Sequence, residues 1–245
     1  MLNLATRVAG RGERSLLLVH GWSYHGAIWG YDIDALSDGW RMVVPDLPGH
    51  GLTPLRTAGR SIREVAVEGL GQVWKEHDLG GALAVGWALG AQLVVDAVTA
   101  GVIDPARVLL LALPTPAGPV PDPRRGPLWR DWPRYSSTIT RMMLARPPTP
   151  ETERWLSRMA SDASLAATAG FLADDWTPPG RDLRLPGGSV LVHGRLDAIA
   201  PYEPAVALAE SWGATVHLLD DVAHCPFLED AATYTRLRDD WLEHA

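Results

Sequence analysis

The sequence predicts an α/β fold in which helices cover both faces of a mostly parallel sheet. Its first half contains four short, continuous apolar runs of the kind that form strands buried on both faces, at residues 15–20, 41–45, 82–86 and 107–113. Between them, residues 61–77 and 89–98 repeat apolar side chains at the three- and four-residue spacing of a helix. With 245 residues, 47% of them hydrophobic and 21% charged, the composition is that of an ordinary globular domain.

The pattern changes after the proline-rich stretch 114–133. Residues 136–145, 151–161 and 164–174 favour helices with no strand between them, which predicts a helical cap inserted into the α/β body. Strand patterns return at residues 189–193 and 215–219, with helices predicted over 203–212 and 231–241. We therefore expect a core made of residues 1–113 and 186–245, with seven or eight strands, and a helical cap over residues 114–185.

The composition argues against several classes of protein. The longest apolar runs fall far short of the ~20 residues that a membrane span needs, and residues 1–15 lack the apolar segment of a signal peptide. The only cysteine, Cys225, leaves no internal disulfide and no thiolate cluster for a metal, so we expect a cytoplasmic protein. A net charge of −7 disfavours nucleic acid and anionic membrane as partners.

One segment differs from this acidic background. Residues 121–146 carry a local charge of +4, which leaves −11 on the rest of the chain. The segment contains two aspartates and six arginines, which are Arg124, Arg125, Arg130, Arg134, Arg141 and Arg146. A basic segment on an acidic body would suit an acidic partner.

The segment Gly86-Trp87-Ala88-Leu89-Gly90 lies where a predicted strand gives way to a predicted helix. A nucleophile elbow needs this tight turn, with small residues two positions before and two positions after a central residue in a strained conformation. Gly86 and Gly90 meet that requirement. The central residue of such a turn is a serine, cysteine or aspartate, but here it is Ala88, whose methyl group can neither attack a carbonyl carbon nor be deprotonated.

Three further motifs follow predicted strands. The tripeptide HGW at 20–22 is placed so that the backbone N–H of Trp22, together with that of Leu89, would form an oxyanion hole. Asp197 follows the strand at 189–193, and His224 lies in the loop before the last helix. The order Ala88, Asp197, His224 is the chain order of a nucleophile, an acid and a base, so we expect Asp197 to orient the imidazole of His224.

Together these motifs resemble the α/β-hydrolase superfamily. HGW, DLPGHG at 46–51, GWALG, HGRLD and AHCPF extend over nearly the whole chain outside the cap. The combination of HGW, GW-x-LG and a short helical cap is similar to the BioH-type pimeloyl-acyl-carrier-protein methyl ester esterases of biotin synthesis, in which the elbow reads GWSLGG. The resemblance implies an α/β-hydrolase fold with Ala88 at the nucleophile position, Asp197 as the acid and His224 as the base.

The same resemblance implies where substrate and partner bind. It places Trp22 against the acyl chain, with Trp87 as a second candidate for substrate binding. In that family, cap arginines dock the acidic carrier protein, and the candidates here are Arg141, Arg154 and Arg158. The expected function is hydrolysis of a carboxylic ester by a Ser-His-Asp mechanism, without cofactor or metal. We expect a monomer that acts on an acyl methyl ester carried by acyl carrier protein.

Ala88 leaves three interpretations open. The otherwise intact site favours an engineered replacement of serine that lets a substrate or carrier complex persist. The second is a natural variant that binds a ligand, or that uses His224 as a general base without a covalent intermediate. In the third, Cys225 is the nucleophile, although its position next to His224 should point its side chain away from the imidazole. As it stands, the chain should be nearly inert as an esterase, because losing a triad nucleophile costs ~10⁶-fold in rate.

The fold does not fix the substrate. A thioesterase, a lactonase or a C–C bond hydrolase would use the same residues, and a ligand-binding protein without catalysis would keep the same pocket. The remaining histidines considered, His20, His25, His50 and His193, are expected to be structural or to surround the site. Neither histidine nor carboxylate spacing favours a metal site.

Overall fold

The computed structural model of the chain describes residues 3–115 and 130–244. The described strands are β1 (Thr6–Ala9), β2 (Arg14–Val19), β3 (Trp40–Pro45), β4 (Leu83–Trp87), β5 (Arg107–Leu111), β6 (Val190–Gly194) and β7 (Thr215–Leu219). They form one seven-stranded sheet in the order β1-β3-β2-β4-β5-β6-β7. β1 runs antiparallel to β3, and the other five pairings are parallel. The predicted mostly parallel sheet is confirmed.

Helices connect the strands and flank the sheet. Those in the described ranges are α1 (Gly30–Leu36), α2 (Ile62–Glu76), α3 (Leu89–Thr99), α4 (Trp132–Met142), α5 (Pro150–Ser161), α6 (Leu165–Ala173), α7 (Tyr202–Ser211), α8 (Pro226–Glu229) and α9 (Ala231–Glu243). The bounds of α2, α3, α7 and α9 agree with the predicted helices to within about two residues at each end, the usual uncertainty of a helix boundary.

The apolar core lies on both sides of the sheet, because side chains alternate between the two faces of a strand. Leu17 and Val19 of β2 belong to the cluster that contains the buried faces of α2, α3 and α7. Leu16 and Leu18 belong to a second cluster, which contains residues of α1 and α9. Helices therefore cover both faces, and the carboxyl ends of the parallel strands meet at one edge, where open α/β sheets place their sites.

Three helices, α4 to α6, follow one another between β5 and β6 in the chain. Each begins with a side-chain cap, since Asp131, Thr149 and Ser164 each accept a hydrogen bond from a backbone N–H of the first turn. These are the three helices predicted for the cap. The boundaries 114 and 185 stay a prediction, and residues 116–129, with Arg124 and Arg125, lie outside the described residues.

The sequence patterns do not predict β1 or α1. β1 has four residues at the edge of the sheet and shows no buried alternation that would single it out. α1 has seven residues, follows a 3₁₀ turn at Gly26–Trp29 and begins without a side-chain cap, so the usual start signals are missing. In the parts of the chain that are described, no helix has the length and apolarity to cross a membrane.

Candidate active site

Ala88 lies at the tight turn between β4 and α3. Its backbone has φ +50° and ψ −119°, a conformation that costs a residue with a side chain about 1–3 kcal/mol. A Cβ atom on Gly86 would lie 2.6 Å from the Cα atom of Ala91. A Cβ atom on Gly90 would lie 2.2 Å from the carbonyl oxygen of Val19. Both glycines are therefore required by close backbone contacts, as a nucleophile elbow demands.

The backbone N–H groups of Trp22 and Leu89 are the predicted oxyanion donors. Leu89 is the first residue of α3, so its N–H has no partner inside the helix and lies at the positive end of the helix dipole. Within the described residues, neither N–H donates a hydrogen bond. Gly21, which precedes Trp22, lies against the indole of Trp87, where a Cβ atom would come within 2.8 Å of the ring. Two unpaired donors beside the elbow suit a developing oxyanion.

His20 fixes the start of the Trp22 loop. Its Nδ1 lies 2.8 Å from the carbonyl oxygen of Gly21, and its Nε2 lies 2.9 Å from the backbone nitrogen of Leu47. Because Gly21 offers an acceptor and Leu47 offers a donor, the proton belongs on Nδ1 and the ring is neutral. Burial lowers the pKa of His20 to about 3, against the partial compensation of the Gly21 hydrogen bond.

His50 fixes the other end of the same loop. Its Nε2 accepts the backbone N–H of Ser23 at 3.2 Å, and its Nδ1 donates to the carbonyl oxygen of Pro48 at 3.0 Å. Ser23 has φ +64°, so this hydrogen bond holds a strained residue directly after Trp22. Burial lowers the pKa of His50 to about 3, and the nearby His20 lowers it further. Both histidines are therefore neutral, and their hydrogen bonds hold the backbone of the predicted oxyanion loop in place.

Asp197 and His224 form the predicted acid–base pair. Asp197 follows β6 and His224 precedes α8, and the Nδ1 of His224 donates to the Oδ2 of Asp197 at 2.7 Å. The Oδ1 of Asp197 accepts the backbone N–H groups of Ile199 and Ala200 at 2.9 and 2.8 Å. Burial alone would raise the pKa of Asp197, but His224 and these hydrogen bonds outweigh burial and hold it well below its usual range. Because its Nδ1 faces the carboxylate of Asp197, the Nε2 of His224 is the ring nitrogen placed to act as a base.

His193 supports the acid from within β6. Its Nε2 lies 2.8 Å from the carbonyl oxygen of Ala200 and 3.2 Å from the Oδ2 of Asp197. Both neighbours are acceptors, so the proton belongs on Nε2, and the buried Nδ1 has no hydrogen-bond partner among the described residues. The side-chain hydrogen bond from His193 also contributes to the lowered pKa of Asp197. His193 therefore helps to keep Asp197 ionised and oriented.

Trp87 joins the elbow to the loop of His224. Its indole N–H donates to the backbone carbonyl of His224 at 2.9 Å, and the two ring centroids are 5.7 Å apart. Trp87 is 1% exposed and packs against Tyr24 and Phe227. These contacts hold the base loop, which consists of residues 223–225, against Trp87, the residue that precedes Ala88. A role of Trp87 in binding substrate stays a prediction.

Trp22 connects the predicted oxyanion loop to α4 and α6. Its indole N–H donates to the carbonyl oxygen of Thr168 in α6 at 2.9 Å. Its ring meets Trp132 and Tyr135 of α4 edge-on, with centroids 6.1 and 6.2 Å apart. Burial raises the pKa of Tyr135. The three rings meet between the core and α4, where they would form an apolar wall for an acyl chain.

The three predicted docking arginines are exposed on α4 and α5. Arg141 pairs with Glu153 of α5 at 3.0 Å. Arg154 and Arg158 lie one turn apart on α5, and neither forms an ion pair within the described residues. Arg154 and Arg158 therefore present unneutralised positive charge, whereas the charge of Arg141 is partly offset. Docking of a carrier protein on this surface stays a prediction.

Cys225 gives no sign of acting as a nucleophile. The thiol is fully buried, and burial raises its pKa well above its ordinary value, with Glu229 and Asp197 adding to the effect. A reactive cysteine needs the opposite environment, because the thiolate is the attacking species. Across residues 3–115 and 130–244, no group of three His, Cys, Asp or Glu side chains is arranged to hold a metal ion.

The structure links the predicted elbow, acid and base through Trp87 and the His224–Asp197 hydrogen bond, while the arginines lie apart on the cap helices. The sequence assigned no specific role to His20, His50 and His193. For His193 a signal exists, since it lies near the end of a buried strand, four residues before the predicted acid. For His20 and His50 the partners are backbone groups, which leave no mark in the sequence.

These observations can be compared with known proteins. A family model described as the alpha/beta hydrolase family matches residues 16–237. The chain belongs to this family. A pimeloyl-[acyl-carrier protein] methyl ester esterase from Methylococcus capsulatus is 30% identical and covers 96% of this chain and 97% of its own length. Another, from Nitrosospira multiformis, is 28% identical over 87% of this chain and 88% of its own length. The resemblance of the motifs to these esterases is confirmed.

Solved structures agree on the fold. An esterase from Exiguobacterium antarcticum superposes with a TM-score of 0.85 at 16% identity, covering 98% of this chain and 95% of its own. The predicted α/β-hydrolase fold is thus confirmed. The sequence relatives and this structural neighbour are esterases of the α/β-hydrolase superfamily.

Proposed function

We propose that this chain carries the site of a carboxylic ester hydrolase for the methyl ester of an acyl chain on acyl carrier protein, with Ala88 standing where serine would attack. In this form it binds the ester without hydrolysing it. The observation that carries the proposal is the 2.7 Å hydrogen bond between His224 and Asp197, fixed against a strained elbow that keeps both of its glycines. With the acid–base pair and the elbow backbone both in place, the site lacks only the attacking oxygen.

The reaction follows from the placement of these groups once serine occupies position 88. The hydroxyl oxygen attacks the ester carbonyl carbon while the Nε2 of His224 takes its proton. The N–H groups of Trp22 and Leu89 bind the oxyanion, and Asp197 stabilises the imidazolium. Methanol leaves with the proton from His224. Water, deprotonated by His224, then attacks the acyl-enzyme and releases the carboxylate.

The choice of substrate rests on three supports. The sequence relatives are named for the methyl ester of a pimeloyl chain on a carrier protein. The rings of Trp22, Trp132 and Tyr135 offer an apolar wall beside the oxyanion loop. The unneutralised charges of Arg154 and Arg158 suit an acidic carrier. We place the reaction in the cytoplasm, since the single buried cysteine leaves no disulfide to form.

The decisive variant is Ala88→Ser. Its activity on p-nitrophenyl acetate and on short methyl esters should exceed that of the unmodified chain by up to ~10⁶-fold, the cost of a missing triad nucleophile. The matched control Ala88→Ser/His224→Ala should return to the rate of the unmodified chain. A folded Ala88→Ser variant without activity on a broad panel of esters would refute the proposed function.

Charge reversal tests the carrier. In the Ala88→Ser background, Arg154→Glu and Arg158→Glu should raise KM for a carrier-linked methyl ester and leave p-nitrophenyl acetate unaffected. Arg141→Glu should behave likewise but more weakly, because that arginine is already paired. Arg236→Glu, at an exposed position of α9, is the control and should alter the kinetics of neither substrate. Equal effects on both substrates would discard carrier docking.

The intact pair of His224 and Asp197 also supports a second function, in which the unmodified chain uses His224 as a general base without a covalent intermediate. The free Nε2 of His224 needs only a bound water or an acidic C–H bond to act on. Slow turnover of an activated ester by the unmodified chain that disappears in His224→Ala would support this function. Equal turnover by the unmodified chain and by His224→Ala would exclude this second function and favour a protein that binds a ligand without catalysis.

A further inference from the structure

Glu229, the last residue of α8, collects three backbone N–H groups on its carboxylate. Its Oε1 accepts the N–H of Ala223 at 3.1 Å and that of Cys225 at 2.9 Å. Its Oε2 accepts the N–H of Ala145 at 2.6 Å. Hydrogen bonds from backbone N–H groups to an ionised carboxylate are about twice as strong as those between neutral groups. Ala223 and Cys225 are the two neighbours of His224 in the chain, so this carboxylate binds the backbone of the base loop directly before and directly after His224.

The N–H of His224 itself points in another direction. It donates to the carbonyl oxygen of Met143, directly after α4, at 2.9 Å. The three consecutive N–H groups of residues 223–225 are therefore all bound, two by Glu229 and one by the end of α4. Ala145, whose N–H reaches the same carboxylate, lies two residues beyond Met143. Two hydrogen bonds therefore join the base loop to the end of α4. The N–H of His224 donates to the carbonyl oxygen of Met143, and the N–H of Ala145 donates to the carboxylate of Glu229, which also binds the base loop.

This arrangement ties the direction of the imidazole to the position of α4. The Nδ1 of His224 meets Asp197 only while the backbone of residues 223–225 keeps its present course. α4 also carries the rings of Trp132 and Tyr135 that meet Trp22. A shift of α4 would therefore move the acyl wall and the base loop together.

We propose that Glu229 is a positioning residue that locks the His224 loop to the end of α4, so that the imidazole keeps its hydrogen bond to Asp197 only while this helix is in place. The relevance to catalysis rests on the proposed function, whereas the lock itself does not. A purely structural role would lower stability and leave the His224–Asp197 hydrogen bond as it is.

The test begins with the unmodified chain and needs no catalysis. The Nδ1 proton of His224, held against Asp197 at 2.7 Å, should give a low-field proton resonance that exchanges slowly with water. In Glu229→Ala this exchange should accelerate by about 10-fold or more, as expected when a positioning contact is removed. Because Glu229 borders a groove of about 440 Å³ that opens to solvent, alanine leaves no closed cavity there.

Two further variants sharpen the result. Asp230→Ala removes the neighbouring carboxylate, which caps α9 through the N–H of Thr233 at 3.0 Å, and should leave the His224 proton unchanged. Glu229→Gln keeps one carbonyl oxygen for the base loop but replaces the second acceptor with an NH₂ group, so an intermediate exchange rate is expected. Exchange as slow as in the unmodified chain in both Glu229 variants overturns the proposal. If the alanine variant does not fold, the same result in Glu229→Gln alone overturns it.

Steady-state kinetics distinguish a failure of the role proposed for Glu229 from a failure of the proposed function. In the Ala88→Ser background, Glu229→Ala should lower kcat for p-nitrophenyl acetate by roughly 10- to 100-fold and leave KM unchanged. Unaltered kcat in this variant also counts against the lock. If Ala88→Ser shows no esterase activity at all, the proposed function fails, and the exchange measurement still decides the role of Glu229.

Discussion

The two halves of the site differ in what they retain. The elbow between β4 and α3 has a strained backbone but carries a methyl group at its centre, whereas the loops after β6 and β7 carry Asp197 and His224, joined by a hydrogen bond. The shape of the elbow therefore does not depend on a reacting side chain. It is imposed by the contacts of Gly86 and Gly90 with neighbouring backbone.

The acid–base half is held differently. Its side chains depend on one another and on buried polar contacts, with Asp197 receiving hydrogen bonds from His224, His193 and two backbone N–H groups. Removing one partner there should change the chemistry of the others. In the elbow, replacing the central side chain should change chemistry while the backbone stays as it is.

The largest effect is expected on the acid–base half. In the Ala88→Ser background, Asp197→Asn should lower kcat about 10⁴-fold, because an amide N–H facing the Nδ1 of His224 enforces the wrong tautomer. The exposed Asp220, which pairs with Arg195, provides the control, and Asp220→Asn should leave kcat unchanged. Steady-state kinetics on p-nitrophenyl acetate measures both. A loss of less than tenfold in Asp197→Asn would mean that Asp197 does not orient the base.

The next effect concerns the backbone of the elbow. Gly90→Ala should cost about 3 kcal/mol or more of unfolding free energy, or prevent folding, because the new methyl carbon would meet the carbonyl oxygen of Val19. Gly187→Ala is the matched control, since a Cβ atom there has no neighbour within 4 Å. Denaturant unfolding compares the two. Equal stability of both variants would show that the elbow is not fixed by this contact.

A smaller effect involves pH and the oxyanion loop. The unfolded chain binds a proton at His50 near pH 6.5, whereas the folded chain resists protonation down to about pH 3. The stability that this neutral histidine confers is therefore complete above pH 6.5 and is lost as pH falls towards 3, by about 1.4 kcal/mol per pH unit. Glutamine does not titrate, so in His50→Gln the unfolding free energy should fall less steeply between pH 6 and pH 4 than in the unmodified chain. An identical slope in unfolding free energy would contradict the buried, neutral state.

The smallest of these effects is expected from glycine at position 88, and it concerns stability alone. Glycine accepts a φ of +50° without steric cost, so Ala88→Gly should relieve backbone strain, offset in part by the entropy of a more flexible unfolded chain. The net gain should be at most about 1 kcal/mol of unfolding free energy. Thermal or denaturant unfolding tests it against Ala91→Gly on α3, which should destabilise. A clear loss of stability in Ala88→Gly would mean that the methyl group is supported by its packing.

Much of the elbow and the acid–base pair could be predicted from the sequence. Parallel strands bring their carboxyl ends to one edge, so motifs after three different strands had to converge there, and Ala88, Asp197 and His224 follow from that rule. Six of the seven strands, β2 to β7, followed from the predicted strand patterns. β1 and α1 escaped prediction because four and seven residues are too few to establish a period.

The supporting residues could not be found in the same way. Glu229, His20 and His50 act on backbone N–H and carbonyl groups, and every residue except proline offers both, so no sequence pattern marks the partner. Their pairing depends on the three-dimensional course of the loops.

In the proposed function, only the attacking oxygen is missing from an otherwise active site. This is tested most directly by treating the Ala88→Ser variant with a p-nitrophenyl alkylphosphonate and locating the adduct by mass spectrometry. A single covalent adduct is expected on the serine introduced at position 88, absent from the unmodified chain and lost in Ala88→Ser/His224→Ala. A folded Ala88→Ser variant that remains unlabelled would contradict the claim.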